Sequence, residues 1–196
     1  MNSVTPENLA LVEERKSARV YEMAIPRIFA VFFNITKSAV LAHDEVRSAL
    51  SFATDREAII REVLEGKGQP AETALLPFMN GYATDIAFPR YDENQANTIL
   101  DQNNWKRGED GIRAKDGTVL AFELKVPDWP ELVETAELLR AQWEKVGVRV
   151  TVTAESAGDL QQNTVRPREY EALLFGEAAM IDSDPYSFWH SSQKHD

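Results

Sequence analysis

The chain has 196 residues, of which 43% are hydrophobic, a formal net charge of −11 and no cysteine. That length fits one domain, with room for at most a small appendage. The lack of cysteine excludes disulfides, thiolate metal sites and cysteine nucleophiles, and the acidic balance argues against nucleic acid, whose phosphates call for a basic surface.

Residues 1–18 read as a leading helix or arm. Met1 to Lys16 is polar, with Glu7, Glu13 and Glu14 and no hydrophobic block of the kind that opens a signal peptide. Arg19 to Ile35 is rich in β-branched and aromatic residues and predicts one or two strands, broken at Pro26. Its longest apolar run, residues 25–35, contains Pro26, Arg27 and Asn34 and falls well short of the roughly 20 residues of a membrane span. A helical pair follows. Residues 43–53 place Val46, Leu50 and Ala53 on one face, and Thr54-Asp55-Arg56-Glu57 fits a capping box in which Thr54 caps and Glu57 reaches back. The second helix is expected to bury Ile59, Ile60, Val63 and Leu64 and to stop at Gly66. Residues 68–90, with Pro70, Pro77 and Pro89, read as a long irregular connection.

Asp92 opens a short helix that buries Ala96, Ile99 and Leu100. Asp110-Gly111 and Asp116-Gly117 are tight-turn signals around Ile112 and Arg113. Residues 119–126 alternate as a strand, with Leu120, Phe122 and Leu124 on one face. An amphipathic helix spans about residues 131–145. Its apolar positions Leu132, Ala136, Leu139, Trp143 and Val146 recur at helical spacing, and Gly147 ends it. Residues 148–153 and 170–175 read as strands. The strand–helix–strand pass over 119–153 favours an α/β layer structure with a mixed sheet flanked by helices.

The sequence carries no phosphate-binding glycine loop, no G-x-S-x-G elbow and no H-E-x-x-H. His43, His190 and His195 lack ligand spacing, so neither a metal nor a cofactor is expected. Glu177, Asp182 and Asp184 cluster near a predicted strand end. Such a group serves either as solvated turn residues or as ligand contacts. A carboxylate-dependent hydrolase using Glu177 and Asp182 is the weakest reading of it.

Several segments, taken in order, resemble one family. Asp44-Glu45-Val46-Arg47-Ser48-Ala49-Leu50 with Ala53-Thr54-Asp55-Arg56-Glu57-Ala58-Ile59-Ile60 is similar to its helix pair, and Gly66 to Ala71 to that pair's exit. Tyr91-Asp92 through Ala96, Leu100 and Trp105 resembles its next helix. Asp110-Gly111-Ile112-Arg113 with Asp116-Gly117 resembles its hairpin, and residues 137–143 with Val146-Gly147-Val148 its helix-to-strand step. The closing Asp182-Ser183-Asp184-Pro185-Tyr186-Ser187-Phe188-Trp189-His190-Ser191-Ser192-Gln193 is the most specific segment. The family is that of the periplasmic or lipoprotein peptide-binding receptors of bacterial ABC transporters, solute-binding protein family 5.

The resemblance implies an α/β lobe of the periplasmic-binding-protein type (type II, family 5), isolated from its partner lobe. Residues 19–196 would form the lobe, truncated at both ends. The implied function is not enzymatic. Two lobes close on a peptide or similar small solute, and the closed form docks on permease subunits of an ABC importer. The missing N-terminal lobe, the solute and the permease are the implied partners, and the parent is expected to be periplasmic or an extracellular membrane-anchored lipoprotein. Carried over residue by residue, the ligand-facing edge is Phe175, Gly176, Glu177 and Ala178, with Trp129 in a loop facing the cleft or packed on the following helix. The counter-ion for a ligand amine is Asp182 or Glu177. The sequence departs from the peptide-binding pattern at Glu177, where relatives often carry tryptophan. A stand-alone α/β protein-interaction module without solute binding is the competing reading.

Overall fold

The computed structural model describes residues 11, 12, 14, 21, 27–73, 75, 76, 82 and 88–178. The reading of 1–18 as a leading helix or arm, and the motif from Asp182 to Gln193, fall outside them, save for residues 11, 12 and 14.

Strand β1 (Arg27–Phe33) leads into helices α1 (Asp44–Phe52) and α2 (Arg56–Glu62). After the connection come α3 (Glu93–Gln102) and three short strands, β2 (Lys106–Arg107), β3 (Arg113–Lys115) and β4 (Thr118–Val119). The chain then runs through β5 (Ala121–Pro127), α4 (Pro130–Lys145), β6 (Arg149–Glu155) and a short α5 (Ala157–Asp159). The last two elements are a π-helical turn (Leu160–Val165) and β7 (Ala172–Ala178).

The main sheet has the order β1-β7-β5-β6. β5 pairs in parallel with β6 and with β7, and β1 runs antiparallel to β7. The mixed α/β architecture expected from the sequence is therefore present. It arises because α4 carries β5 over to a parallel neighbour, as a crossover must. A second sheet, β2-β3-β4, is the small hairpin array expected from the two Asp-Gly turns.

One face of the main sheet forms the core. Phe122, Leu124 and Val126 of β5, Val150 of β6 and Ala172 and Leu174 of β7 alternate onto it. They meet Leu132, Ala136, Leu139 and Trp143 of α4 and Val46, Ala49 and Leu50 of α1. All five apolar positions read as the α4 stripe are buried. The same spacing carries Thr135 and Gln142 inward. Gln142 is satisfied at the start of α2: its Oε1 accepts from Asp55 N at 3.0 Å and its Nε2 donates to Asp55 O at 3.3 Å.

The cap of α2 differs from the expected box. Asp55 caps it, accepting from Ala58 N at 2.9 Å. Thr54 is diverted: its hydroxyl donates to Leu50 O at 2.7 Å and accepts from the Trp143 ring N–H at 3.0 Å. A tertiary partner thus outcompetes the local motif. Of α2 itself only Ala58 is buried, and Ile59, Ile60, Val63 and Leu64 are half-buried.

Gly147 closes α4 at φ +85°, and a Cβ there would lie 2.7 Å from Arg113 Cγ and 3.1 Å from Gly111 O. Both the left-handed backbone and the close approach demand glycine. Arg113 is the buried group it makes room for. The guanidinium donates to Val146 O at 2.9 Å, Trp105 O at 2.5 Å, Asp101 Oδ1 at 2.5 Å and Asn97 Oδ1 at 2.9 Å. It ties α3, the end of α4 and the hairpin array into one body.

Candidate functional site

The three parallel strands point the same way; Pro127 and Glu155 end β5 and β6 at the same level, and β7 continues past them to Ala178 at that end of the sheet. In open α/β sheets this carboxyl end is where ligands bind, because the loops leaving the strands open a crevice there.

β7 reaches further than the sequence suggests. The reading of residues 170–175 as the strand is two residues early at its start and three short at its end, since pairing with β1 holds the chain extended through Ala178. The register runs Phe33↔Ala172 to Arg27↔Ala178 on the β1 side. On the β5 side it comprises Leu124↔Ala172 and Lys125↔Leu173. From Leu174 to Ala178, β7 is therefore bonded on one side only among the described residues. Every second backbone N–H and C=O of that stretch points away from β1. A strand edge of this kind is a template for an extended chain.

Phe175, Gly176, Glu177 and Ala178 all belong to this one-sided stretch. They stand opposite Ala30, Phe29, Ile28 and Arg27 respectively. Gly176 has a steric rather than a conformational reason: a Cβ would sit 2.6 Å from Phe29 Cε1 and 3.0 Å from its Cδ1. The Phe29 ring lies across the glycine and remains 45% exposed. Arg27 stands over that ring, with its guanidinium carbon 5.9 Å from the ring centroid.

Trp129 lies at the same end of the sheet, at the N-cap of α4 just after β5. Its carbonyl accepts from Leu132 N and Val133 N, both at 3.0 Å, while its side chain is 43% exposed. Of the two roles open to it in the sequence, packing on the following helix leaves a large part of the ring uncovered. Asp182 lies outside the described residues.

The opposite face of the sheet holds polar groups that motif reading missed. Glu155, the last residue of β6, pairs with Lys125 Nζ at 2.8 Å. The fully buried Thr164 of the π-helical turn donates its hydroxyl to Glu155 Oε2 at 2.8 Å and receives Lys125 Nζ at 3.2 Å. Beside them Thr153 Oγ1 donates to Glu123 Oε1 at 2.6 Å, and Glu171 Oε2 accepts from Glu123 N at 2.8 Å. The signal for this layer is the alternation of Glu123 and Lys125 with Thr151, Thr153 and Glu155 on the second face of two strands. Burial pushes the Glu155 carboxyl up, but hydrogen bonds from Lys125 and Thr164 and the Lys125 charge outweigh it and hold the group below its ordinary value of 4.5.

A depressed carboxylate contributes stability that is present above its unfolded pKa and is lost as pH falls through its folded one. Acidification below about 4.5 is thus expected to destabilise the wild type more than Glu155→Gln. Thermal unfolding between pH 7 and pH 3 checks this: parallel melting curves for the two proteins would contradict it. Glu45 is set the same way. Burial pushes it up, and a backbone hydrogen bond together with Lys115 and His43 brings it below 4.5.

The remaining singled-out residues are structural. Arg47 donates to Leu41 O at 2.7 Å and pairs with Asp44, and Arg56 donates to Pro89 O and Ser51 Oγ. Trp105 and Trp143 are buried. His43 is the N-cap residue of α1 and packs edge-on against Trp105. Among the described residues no group of three or more His, Asp or Glu could hold a metal ion, and no helix is long and apolar enough to cross a membrane.

The described residues thus form an α/β lobe whose β7 is bonded on one side only from Leu174 to Ala178. The chain belongs to the bacterial extracellular solute-binding proteins, family 5, whose "Middle" model matches residues 1–196. It is similar to the oligopeptide-binding protein AppA of Bacillus subtilis, at 32% identity over 80% of this chain and 30% of that protein. It is likewise similar to the dipeptide-binding protein of Escherichia coli K12, at 28% identity over 94% of this chain and 36% of that one. Among solved structures, AppA in complex with a nonapeptide superposes with a TM-score of 0.86 at 28% identity, covering 97% of this chain and 38% of AppA. NikZ from Campylobacter jejuni in complex with Ni(L-His) shares the fold, with a TM-score of 0.85 at 24% identity over 97% of this chain and 38% of NikZ. The chain spans about a third of the length of the curated relatives it matches.

Proposed function

We propose that this chain is one lobe of a two-lobe solute-binding receptor that captures a peptide, or a related small solute, and delivers it to the permease of an ABC importer. The observation that carries the reading is the one-sided end of β7. An extended peptide laid along Leu174–Ala178 adds a strand to the sheet. Affinity then comes from main-chain hydrogen bonds and tolerates varied side chains. Phe175, Gly176, Glu177 and Ala178 supply that edge, and Trp129 borders it.

An acidic group beside the edge balances the ligand's amino terminus, because an ammonium taken out of water without a partner is costly. Glu177 and Asp182 are the two candidates. Closure of the second lobe completes the site, and ligand contacts present only in the closed form shift the population towards it. The parent protein works outside the cytoplasm, in the periplasm or on the cell surface under a lipid anchor.

The test is native mass spectrometry of the complete receptor, this chain together with its second lobe, purified without added ligand. A heterogeneous set of short peptides is expected. A single defined non-peptide molecule would keep the receptor reading and discard peptide as its cargo.

A further inference from the structure

The register puts the ion pair near the ends of β5 and β6 beside the strand slot of β7. Lys125 is the last β5 residue paired with β7, opposite Leu173. Beyond it β5 stays with β6, as far as Pro127↔Glu155. β5 and β7 therefore part at Lys125, and the slot along Leu174–Ala178 begins there. Directly paired residues point to one face, so Lys125 shares a face with Leu173 and, two residues on, with Phe175. That is the second face of the sheet: Leu173 is 3% exposed yet lies outside the core cluster that holds Ala172 and Leu174. A peptide strand in the slot turns every second side chain to this face, and the innermost of them comes beside Lys125.

What meets it there is a donor and an acceptor side by side. Lys125 Nζ lies 2.8 Å from Glu155 Oε1 and 3.2 Å from Thr164 Oγ1, and that hydroxyl donates to Glu155 Oε2 at 2.8 Å. Thr164 is fully buried and fixes both groups. The two charged side chains are 18% and 20% exposed. An ammonium has three donors, of which the described residues take two. Each Glu155 oxygen takes one side-chain bond and has a lone pair for a second. The desolvation of such a pair offsets much of its attraction, so stability alone is a weak reason for one at this end of the sheet.

We propose that Lys125 and Glu155 form a ligand side-chain subsite that selects a primary amide, asparagine or glutamine. This rests on the strand-addition reading above and adds a side-chain preference to it. The amide oxygen accepts from Lys125 Nζ while its N–H donates to Glu155, so one planar group completes both. A ligand lysine, arginine, aspartate or glutamate is attracted by one member of the pair and repelled by the other. An apolar side chain takes water from both and returns no hydrogen bond.

The test is competition among tetraalanine peptides for the complete receptor, read by native mass spectrometry. One peptide position, taken in turn, carries glutamine, methionine, glutamate or lysine. The wild type is expected to retain the glutamine peptide over the other three by about tenfold at one position, as hydrogen bonds to charged groups predict. Two variants separate recognition from support of the fold. Lys125→Met leaves the Glu155 charge alone, and the preference at that position is expected to move to lysine. Glu155→Gln leaves the Lys125 charge alone, and the preference is expected to move to glutamate. Melting temperatures of the ligand-free proteins check folding, and if Lys125→Met does not fold, the Glu155→Gln shift decides. Peptides retained without a glutamine preference at any position would overturn this inference and leave the proposed function standing. So would a glutamine preference that survives Glu155→Gln, or a loss of all four peptides alike in that variant. Retention of no peptide at all by the wild type would sink the proposed function and this inference with it.

Discussion

Replacing Trp143 by alanine is expected to lower the stability of the fold by about 3–5 kcal/mol, the range for deleting a large aromatic from a packed core. Trp143 is 2% exposed. It sits on the α4 stripe where α1, α2 and the sheet converge. Its ring lies 5.8 Å from that of Phe122 on β5, and its N–H reaches Thr54 between the two helices. The alanine variant loses the apolar burial, leaves a cavity the helices cannot fill without moving, and takes the indole donor away from the Thr54 hydroxyl, which keeps its own bond to Leu50 O. Trp143→Phe separates these contributions. It retains most of the volume and gives up the hydrogen bond, so a loss of about 1–2 kcal/mol is expected. Urea unfolding followed by far-ultraviolet circular dichroism measures both. A phenylalanine variant as damaged as the alanine one would mean that the hydrogen bond, not the packing, dominates.

The second large effect is expected at Arg113. Arg113→Met keeps much of the aliphatic stem but removes every donor from a site where Trp105 O and Val146 O depend on it. Removing one partner from a buried charged network is destabilising by about 3–5 kcal/mol, because the groups left behind are neither hydrated nor paired. Asp101 is 65% exposed and can turn to water, so the cost falls mainly on the two carbonyls. Arg113→Lys is expected to be intermediate, since one ammonium cannot reach four acceptors in a planar fork. A melting temperature for Arg113→Met within a degree or two of the wild type would show that these carbonyls find other donors.

The body of the fold is readable wherever one periodicity dominates a segment. The α4 stripe, the alternation on β5 and the two Asp-Gly turns each have a single local solution, and the structure adopts it. The misreadings have tertiary causes. Thr54 fits a cap by local rules, but Trp143 arrives from another element and takes its hydroxyl, so Asp55 caps instead. The strand reading stops at Phe175, and Gly176 and Glu177 have little strand propensity; seven register pairs with β1 carry the strand on to Ala178. Arg113 lies between turn signals and gives no hint that four acceptors from other segments surround it. The 156–165 stretch lacks an apolar stripe and so carries no helical signal. Its helix start rests on Ser156, which accepts from Asp159 N, and its burial on Leu160 and Thr164 alone.

For the candidate site, the resemblance names the edge residues, and their surroundings leave no trace in the sequence. The resemblance puts Phe175 to Ala178 on an edge, and in the structure they are the end of β7, paired with β1. The Phe29–Gly176 approach depends on the β1–β7 register, which pairs residues 147 positions apart in sequence and leaves no local signature. The resemblance gives Gly176 a place on the ligand-facing edge and no hint of Phe29, whereas in the sheet the glycine is the clearance for that ring.

The most direct test of strand addition is amide hydrogen exchange on the complete receptor, before and after its co-purified ligand is removed. Alternate amides within Leu174–Ala178 face away from β1 and should be protected with ligand and exchange quickly without it, while the β5–β6 ladder stays unchanged. Exchange at Leu174–Ala178 that is indifferent to ligand, with protection gained elsewhere, would contradict the account.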